Sequence, residues 1–191
     1  MHKKIGLFFG SFNPIHVGHL LLATHLREAA NLDEIWFIVS PQNPFKQNSE
    51  LADEQHRLEM VKLATKNVDY FNVSDLEFHL EKPSYTHLTL KELSKQFPEY
   101  TFHLIIGEDN VIKFHEWKEA EWILDNYKVV VYNRTIPSEK TTYDARLTTH
   151  DFPLFDISST VIRKRIKENK PVHYFVTENV EHYIRFHKLY L

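Results

Sequence analysis

The sequence contains no cysteine, and this absence excludes several kinds of site. Disulfide frameworks, thiolate zinc sites and cysteine nucleophiles all depend on a thiol. A catalytic zinc ion normally takes three protein ligands. His16 and His19 could supply two of them, but the sequence shows no evident third ligand. We therefore predict that the protein by itself forms no metal site.

Long apolar runs and a strong excess of one charge are also missing. No apolar stretch reaches the roughly 18 residues that a membrane helix needs, and residues 1–4 lead into a strand instead of the apolar core of a signal peptide. Lys plus Arg number 23 against 26 for Asp plus Glu, which permits a local basic pocket but argues against a broad nucleic-acid surface. We expect a cytoplasmic protein without a membrane or nucleic-acid partner.

Three familiar catalytic motifs are absent as well. The sequence has no G-x-x-x-x-G-K-[ST], no H-E-x-x-H and no G-x-S-x-G, which argues against P-loop, zinc-protease and serine-hydrolase chemistry. It also shows no internal repeat, low-complexity tract or linker, and 191 residues with 42% hydrophobic content suffice for one packed core. We predict one domain, residues 1–191, with residues 135–149 as its most loop-like segment.

Short apolar runs alternate with helix-like segments along the chain. Apolar strand-length runs occupy residues 5–9 and 35–39, and apolar residues between them recur at helical spacing from position 22 to 30. Further strands are predicted within 70–80, at 100–106 and at 129–132. Continuous apolar runs are typical of parallel strands covered on both faces by helices. The sequence therefore predicts an α/β protein with a doubly wound, mostly parallel sheet and ligands at the carboxyl ends of its strands.

Three further helices are predicted after the first β-α-β unit. Asp53 can cap a helix that runs to about Lys66. Ser84 or Thr86 can cap the next, and residues 117, 120 and 124 share one face of a third. Helix capping alone would account for both hydroxyls, and a tryptophan at position 117 would ordinarily be a core residue. Functional interpretations of these residues therefore need support from elsewhere in the chain.

Residues 10–19, read G-S-F-N-P-I-H-V-G-H, contain the densest group of chemically useful side chains. They lie between the first strand and a helix that begins at about Val17. Such a loop presents backbone N–H groups and the positive end of a helix dipole, which suit phosphate. His16 and His19 lie on one face, with Gly18 leaving room for a ligand. Two histidines at a helix start could also be capping or packing groups, but the loop before them favours binding.

A second element of this kind opens with Ser158, Ser159 and Thr160 and continues to Arg163. The hydroxyls can satisfy the unpaired N–H groups of a helix start, and Arg163 can make a bidentate phosphate contact from one turn further on. Gly107 and Asp109 end the strand at 100–106, where Asp109 could accept from ribose hydroxyls or cap a helix. Lys46 lies in a polar loop, where it could bind phosphate or simply be solvated.

These motifs resemble the nicotinate-nucleotide adenylyltransferases, a family of nucleotidyltransferases with an H-x-G-H signature. The opening G-S-F-N-P-I-H-V-G-H and the later I-S-S-T-V-I-R of residues 157–163 are similar to the family's two phosphate motifs, in the same order. The resemblance implies a Rossmann-like nucleotidyltransferase fold. It also implies adenylyl transfer from ATP, accompanied by Mg²⁺, to nicotinate mononucleotide, giving nicotinate adenine dinucleotide and pyrophosphate in NAD biosynthesis. The chain could also form a homo-oligomer.

The same resemblance implies roles for individual residues. His16, His19 and Arg163 would be catalytic. Lys46 would meet either the ATP phosphates or the mononucleotide phosphate. ATP would contact Gly10, Ser11, Phe12, His16, His19, Lys46, Gly107, Asp109, Arg134, Ser158, Ser159, Thr160 and Arg163. The mononucleotide would contact Asn13, Lys46, Ser84, Tyr85, Thr86 and Trp117, the last stacking on the pyridine ring.

Other functions remain open from the sequence alone. A sister adenylyltransferase acting on 4′-phosphopantetheine typically has Thr at the position of His16 and lacks the S-Y-T segment and Trp117. A cytidylyltransferase is disfavoured for the same reason. A module that binds ATP as a sensor without turning it over would share the phosphate motifs.

Overall fold

The computed structural model describes residues 2–41, 51–133, 144–152 and 157–191. Lys46 and Arg134 lie outside these ranges, so their predicted contacts stay predictions. Within them, six strands form one sheet in the order β3-β2-β1-β4-β5-β6, and each neighbouring pair is parallel. The predicted doubly wound parallel sheet is therefore confirmed. The strands are β1 (Lys3–Gly10), β2 (Glu34–Val39), β3 (Phe71–Ser74), β4 (Tyr100–Gly107), β5 (Lys128–Asn133) and β6 (Leu147–Asp151).

In the described ranges, seven helices connect and follow these strands. They are α1 (Val17–Ala29), α2 (Glu54–Thr65), α3 (Thr86–Gln96), α4 (Glu108–Val111), α5 (Ala120–Asn126), α6 (Ser159–Lys167) and α7 (Glu178–Phe186). Short 3₁₀ turns at Leu76–Phe78 and Phe114–Glu116 precede α3 and α5. In the described ranges, no helix combines the length and apolar character needed to cross a membrane.

Two apolar cores cover the two faces of the sheet. One core packs residues of α1, α2, α6 and α7 against side chains such as Phe8 and Ile105. The other packs α3 and α5 against Leu7 and Leu104. Neighbouring residues of β1 and β4 thus enter opposite cores, as the twofold alternation of a strand requires. Burial on both faces explains why these strands are continuous apolar runs.

The local predictions differ from the structure at three places. β6 lies within and just beyond the segment predicted to be a loop. Its residues are L-T-T-H-D, and none of them is buried. The sequence did not predict this strand because an edge strand that pairs with β5 needs no apolar run. Neither Ser84 nor Thr86 caps α3, since Tyr85 occupies the cap position without a side-chain bond. Trp117 precedes α5, which begins at Ala120, so it is not on that helix's face.

The two halves of the sheet, β3-β2-β1 and β4-β5-β6, meet where β1 lies beside β4. Phe8 pairs with Ile105 in these adjacent strands, and each strand ends two residues later at Gly10 or Gly107. In open parallel sheets, ligands bind in the crevice at such a switch point. The predicted site residues near Gly10 and Gly107 therefore meet at one edge of the fold.

Candidate active site

The loop from β1 to α1 is shaped by the packing of Phe12. Phe12 adopts a positive φ of 44°, and its ring is buried against the loop itself. A Cβ atom on Gly10 would lie 2.8 Å from the Phe12 ring, so this position needs glycine. The edge of the ring meets His19, with 5.2 Å between the ring centroids. The role found for Phe12 is thus to set the path of the loop and to support His19.

His16 and His19 form a stacked pair at the start of α1. Their ring centroids lie 3.6 Å apart with an interplanar angle of 22°, so the prediction that they share a face is confirmed. The backbone N–H of His16 donates to Nδ1 of His19 over 3.2 Å. A neutral His19 therefore carries its proton on Nε2 and can donate from that atom. A Cβ on Gly18 would lie 3.0 Å from the His16 ring, so the room at Gly18 is used by His16 itself.

The start of α6 docks directly on the β1–α1 loop. The Ser158 hydroxyl caps the helix by accepting from the N–H of Val161. Ser159 donates to the Pro14 carbonyl over 2.9 Å, and Arg163 donates through Nη1 to the Asn13 carbonyl over 2.9 Å. Arg163 is buried, with Nη2 3.5 Å from the Thr160 hydroxyl. The two predicted phosphate elements thus meet, and we call Asn13, His16, His19, Ser159 and Arg163 the histidine cluster.

Asn13 has a structural role that the sequence did not indicate. Its side-chain oxygen accepts from the Tyr190 hydroxyl over 2.8 Å and from the N–H of Ala52 over 3.1 Å. Burial raises the pKa of Tyr190, so the phenol keeps its proton and acts as the donor. The C-terminal residues therefore support the histidine cluster, and the predicted contact of Asn13 with a mononucleotide is untested.

Arg57 is a second supporting residue that the sequence analysis missed. It is fully buried, and its guanidinium donates to four backbone carbonyls, those of Ser11, Ser40, Pro41 and Ala52, over 2.5 to 2.9 Å. Burial lowers its pKa below the usual range. Arg57 joins the loops that follow β1 and β2. The spacing of α2 residues marks it only as a charged residue on a helix, so no sequence signal identified it.

A cavity of about 570 Å³ lies at the carboxyl ends of β1, β4 and β5. Gly10, Ser11 and Gly107 line one part of it. The predicted mononucleotide contacts Ser84, Tyr85, Thr86 and Trp117 line another part. The structure thus brings four ring-binding candidates together in one cavity, which also reaches Gly10 and Ser11 in the segment that leads to the histidine cluster.

Glu77 is a buried acid of this cavity that the sequence analysis also missed. Its side chain is only 3% exposed, and it accepts from the Thr89 hydroxyl over 2.9 Å and the Ser84 hydroxyl over 3.1 Å. Burial raises the pKa of Glu77, while hydrogen bonds from Ser40, Thr89 and Ser84 oppose that rise. The Ser84 hydroxyl is therefore directed to Glu77.

Asp109, the remaining described candidate, lies near the cavity without lining it. Asp109 is exposed in the first turn of α4, whereas its neighbour Asn110 does line the cavity. A Cβ on Gly107 would lie 2.5 Å from the Asp109 carboxylate and 3.1 Å from the Tyr132 ring, so both sides of this strand end are closely packed.

In the part of the chain that the structure describes, no three His, Cys, Asp or Glu side chains are grouped for a metal. A site without protein-bound metal stays a prediction.

Comparisons with known proteins show the family of the chain. The family model described as cytidylyltransferase-like matches residues 7–165. A probable nicotinate-nucleotide adenylyltransferase of Cytophaga hutchinsonii is 47% identical over 192 residues, with 98% of each chain covered. One of Christiangramia forsetii is 45% identical over 187 residues, with 96% of each chain covered.

The solved structure of the Plasmodium falciparum nicotinic acid mononucleotide adenylyltransferase complexed with NaAD has the same fold. It superposes with a TM-score of 0.79 at 22% identity, covering 99% of this chain and 98% of the other. The fold and the family that the two phosphate motifs predicted are both confirmed. With near-complete coverage at more than 40% identity, this chain belongs to the nicotinate-nucleotide adenylyltransferase family.

Proposed function

We propose that this chain transfers the adenylyl group of ATP to nicotinate mononucleotide, giving nicotinate adenine dinucleotide and pyrophosphate. The observation that carries the proposal is that the cavity with its four ring-binding candidates is also lined by Gly10 and Ser11, from which the chain leads to the stacked histidines at the switch point of the sheet. A substrate spanning both regions would place its ring in the cavity and its phosphate beside His19. The family relationship supports the same reaction.

The proposed reaction needs positioning and charge stabilisation but no side-chain nucleophile. A phosphate oxygen of the mononucleotide attacks the α-phosphorus of ATP, and the bond from that phosphorus to the bridging oxygen breaks as pyrophosphate leaves. Negative charge grows on the α-phosphoryl oxygens and on the leaving group. Donors fixed before the reaction stabilise that charge without reorganisation.

The histidine cluster would supply those donors. His19 donates from Nε2 because its Nδ1 already accepts from the backbone of His16. His16 would donate beside it, and the α1 N-terminus adds positive potential. Ser158, Thr160 and Arg163 would hold the β- and γ-phosphates, with Arg163 keeping one N–H on the Asn13 carbonyl. Gly10, Ser11, Gly107 and Asp109 would contact the adenosine and the phosphate chain at the two strand ends.

Mg²⁺ would arrive with ATP. Magnesium in such sites is held largely by substrate phosphates and water, with few protein ligands. The described donors of the histidine cluster are imidazole, guanidinium, hydroxyl and amide groups, which suit phosphate oxygens better than a magnesium ion. The presence of the metal, a cytoplasmic location and any homo-oligomer remain predictions.

The cavity would select the acid over the amide through backbone donors. Thr86 lines it at the first turn of α3, where helix N–H groups favour an anion and repel the NH₂ of an amide. The N–H of Trp117, by contrast, donates to the Phe114 carbonyl, so it is not available for this role. Charged hydrogen bonds contribute roughly 1.5 to 3 kcal/mol each, which predicts a preference for nicotinate mononucleotide of at least about ten-fold in kcat/KM.

Pyrophosphate release from ATP tests the proposal when nicotinate mononucleotide, nicotinamide mononucleotide and 4′-phosphopantetheine are assayed in parallel. We expect turnover with the first, at least about ten-fold less with the second and none with the third. Turnover with phosphopantetheine alone would identify the sister transferase. Binding of ATP without pyrophosphate release from any acceptor would identify a nucleotide sensor.

A further inference from the structure

A buried carboxyl group lines the cavity, although nicotinate itself carries a negative carboxylate. Glu77 is 3% exposed and lines the same cavity as Tyr85 and Trp117. Burying a carboxylate is costly unless something compensates its charge. The adenylyl transfer proposed above does not explain why a carboxylate is buried at this position.

The partners of Glu77 in the described residues are neutral. Its carboxylate accepts from the hydroxyls of Thr89 and Ser84, and Ser40 also bonds to it. None of the ion pairs within the described ranges involves Glu77. Hydroxyl donors orient a carboxylate, but they do not neutralise it. A positive charge could therefore be supplied by the ligand that enters the cavity.

The pyridine ring of a mononucleotide carries such a charge. Its nitrogen is bonded to the ribose, so the oxidised ring is a pyridinium cation. We propose that Glu77 is a specificity-determining residue that favours this cationic ring over an uncharged ring of nearly the same shape. The inference rests on the function proposed above, and it goes further by assigning recognition of the ring charge to one side chain.

Other groups lining the cavity fit a ring that carries both charges. The faces of Trp117 and Tyr85 attract cations through their quadrupoles. Lys118 is exposed and also lines the cavity, with its ammonium 4.7 Å from the centroid of the Tyr85 ring. An ammonium at the surface can attract the nicotinate carboxylate while the buried carboxylate attracts the pyridinium. The charge pattern of the cavity thus complements a zwitterionic ring.

Glu77 also has a structural role that the test must separate from recognition. It joins the 3₁₀ turn at Leu76–Phe78 to Ser84 and to Thr89 in α3. Loss of these hydrogen bonds would weaken the binding of any ring. Loss of the charge alone would weaken binding of the cationic ring only, so the ratio of two affinities distinguishes the roles.

The test compares Glu77→Gln with the wild type using two ligands, nicotinate mononucleotide and its 1,4-dihydro form, whose ring is uncharged. Glutamine keeps the shape of the side chain. The hydroxyls of Ser84 and Thr89 can accept as well as donate, so their hydrogen bonds to residue 77 can persist. Calorimetry measures affinity without turnover. We expect the wild type to prefer the cationic ring, and Glu77→Gln to lose about ten-fold or more for that ring while changing less than about two-fold for the uncharged one.

Two further variants keep the inference open to refutation. Glu77→Asp retains the charge and should retain the preference. Glu116→Gln removes an exposed carboxylate that also lines the cavity and should change either affinity less than about two-fold. Equal losses of Glu77→Gln for both rings, or a wild type that binds both rings equally, would overturn the role of the charge.

The outcomes separate this inference from the proposed function. Wild-type turnover with nicotinate mononucleotide, combined with an unchanged ratio in Glu77→Gln, would remove the inference and leave the function standing. A wild type that neither binds nor turns over nicotinate mononucleotide would remove both.

Discussion

The histidine cluster and the cavity lie at the same edge of the sheet but are built in different ways. The cluster is fixed by buried guanidinium groups that donate to backbone carbonyls: Arg163 to Asn13, and Arg57 to the loops after β1 and β2. The cavity is shaped by side chains, with Glu77 bonded to hydroxyls and Trp117 packed on Phe114. Arg57 holds the loops after β1 and β2 through their backbones, whereas Glu77 and Trp117 hold their neighbours through side-chain contacts.

This difference has a chemical reason. Phosphoryl transfer depends on donors placed to within fractions of an ångström, and backbone positions held from several sides supply that precision. Ring recognition depends on shape and charge, which individual side chains can provide and vary. We therefore expect substitutions at the cluster to change turnover, ATP binding or the whole fold, and substitutions at the cavity to change affinity for the mononucleotide.

His19→Ala is the sharpest way to break the cluster's function without breaking its structure. We expect kcat to fall about 100- to 1,000-fold, because a donor to the developing phosphoryl charge is lost. The imidazole is only partly buried, so the free energy of unfolding should change little. Steady-state kinetics and urea unfolding measure the two effects. Near-full activity in the variant would contradict the phosphate role of His19.

Arg57→Met tests whether the support through the backbone is structural. The substitution leaves four backbone carbonyls without their buried donor, so we expect a loss of about 3 kcal/mol or more in the free energy of unfolding. The matched control is Lys95→Met, where the side chain is 81% exposed and pairs with Glu92, itself 33% exposed, in one helix; it should cost under about 1 kcal/mol. Similar losses in both variants would refute the role assigned to Arg57.

His103 offers a reference point inside the sheet, in a strand that ends at the site. Burial, with help from Lys128 and Lys4, lowers the pKa of His103 to about 4. The folded state therefore holds a neutral imidazole that the unfolded chain protonates below about pH 6.5. Its contribution to stability is present above that pH and is lost as the pH falls towards about 4, by up to about 3 kcal/mol.

His103→Leu should remove that pH dependence and leave activity at neutral pH unchanged. Urea unfolding at several pH values between about 4 and 7 compares the variant with the wild type. A wild type and variant with parallel pH profiles would show that His103 does not contribute to the loss of stability in acid.

Arg163→Lys is the mildest change at the cluster. Lysine keeps the charge and can keep one bond to the Asn13 carbonyl, but it lacks the planar fork of arginine. We expect the KM for ATP to rise roughly ten-fold and the KM for the mononucleotide to stay within about two-fold. Equal increases for both substrates would place Arg163 elsewhere in the reaction.

Trp117→Ala changes the cavity and not the cluster. It should raise the KM for the mononucleotide and not that for ATP, the reverse of Arg163→Lys. Loss of stacking on the ring is worth roughly 1 kcal/mol, so we expect the KM for nicotinate mononucleotide to rise about five-fold and that for ATP to stay constant. Steady-state kinetics with each substrate varied in turn measure both values. An effect on ATP of the same size would show that Trp117 supports the site as a whole.

The sequence predicted those features that depend on residues close together in the chain. The apolar run of β1, the loop to Val17 and the spacing of His16 and His19 determine a strand, a loop and a helix whose N-terminus carries two stacked rings. The Ser158 cap of α6 and the Asp53 cap of α2 are local in the same sense. Local patterns also sufficed for the parallel sheet, whereas ligand binding at its strand ends stays a prediction.

Tertiary structure alone determined what supports the site. Arg57, Glu77 and Tyr190 meet partners 5 to 177 positions away in the sequence, and a charged or aromatic residue looks the same in sequence whether solvent or a carbonyl will satisfy it. β6 has no apolar run because its strand is stabilised by pairing with β5, not by burial. A buried polar group must find its partner wherever the fold brings one, so this part of the site follows from packing and not from local pattern.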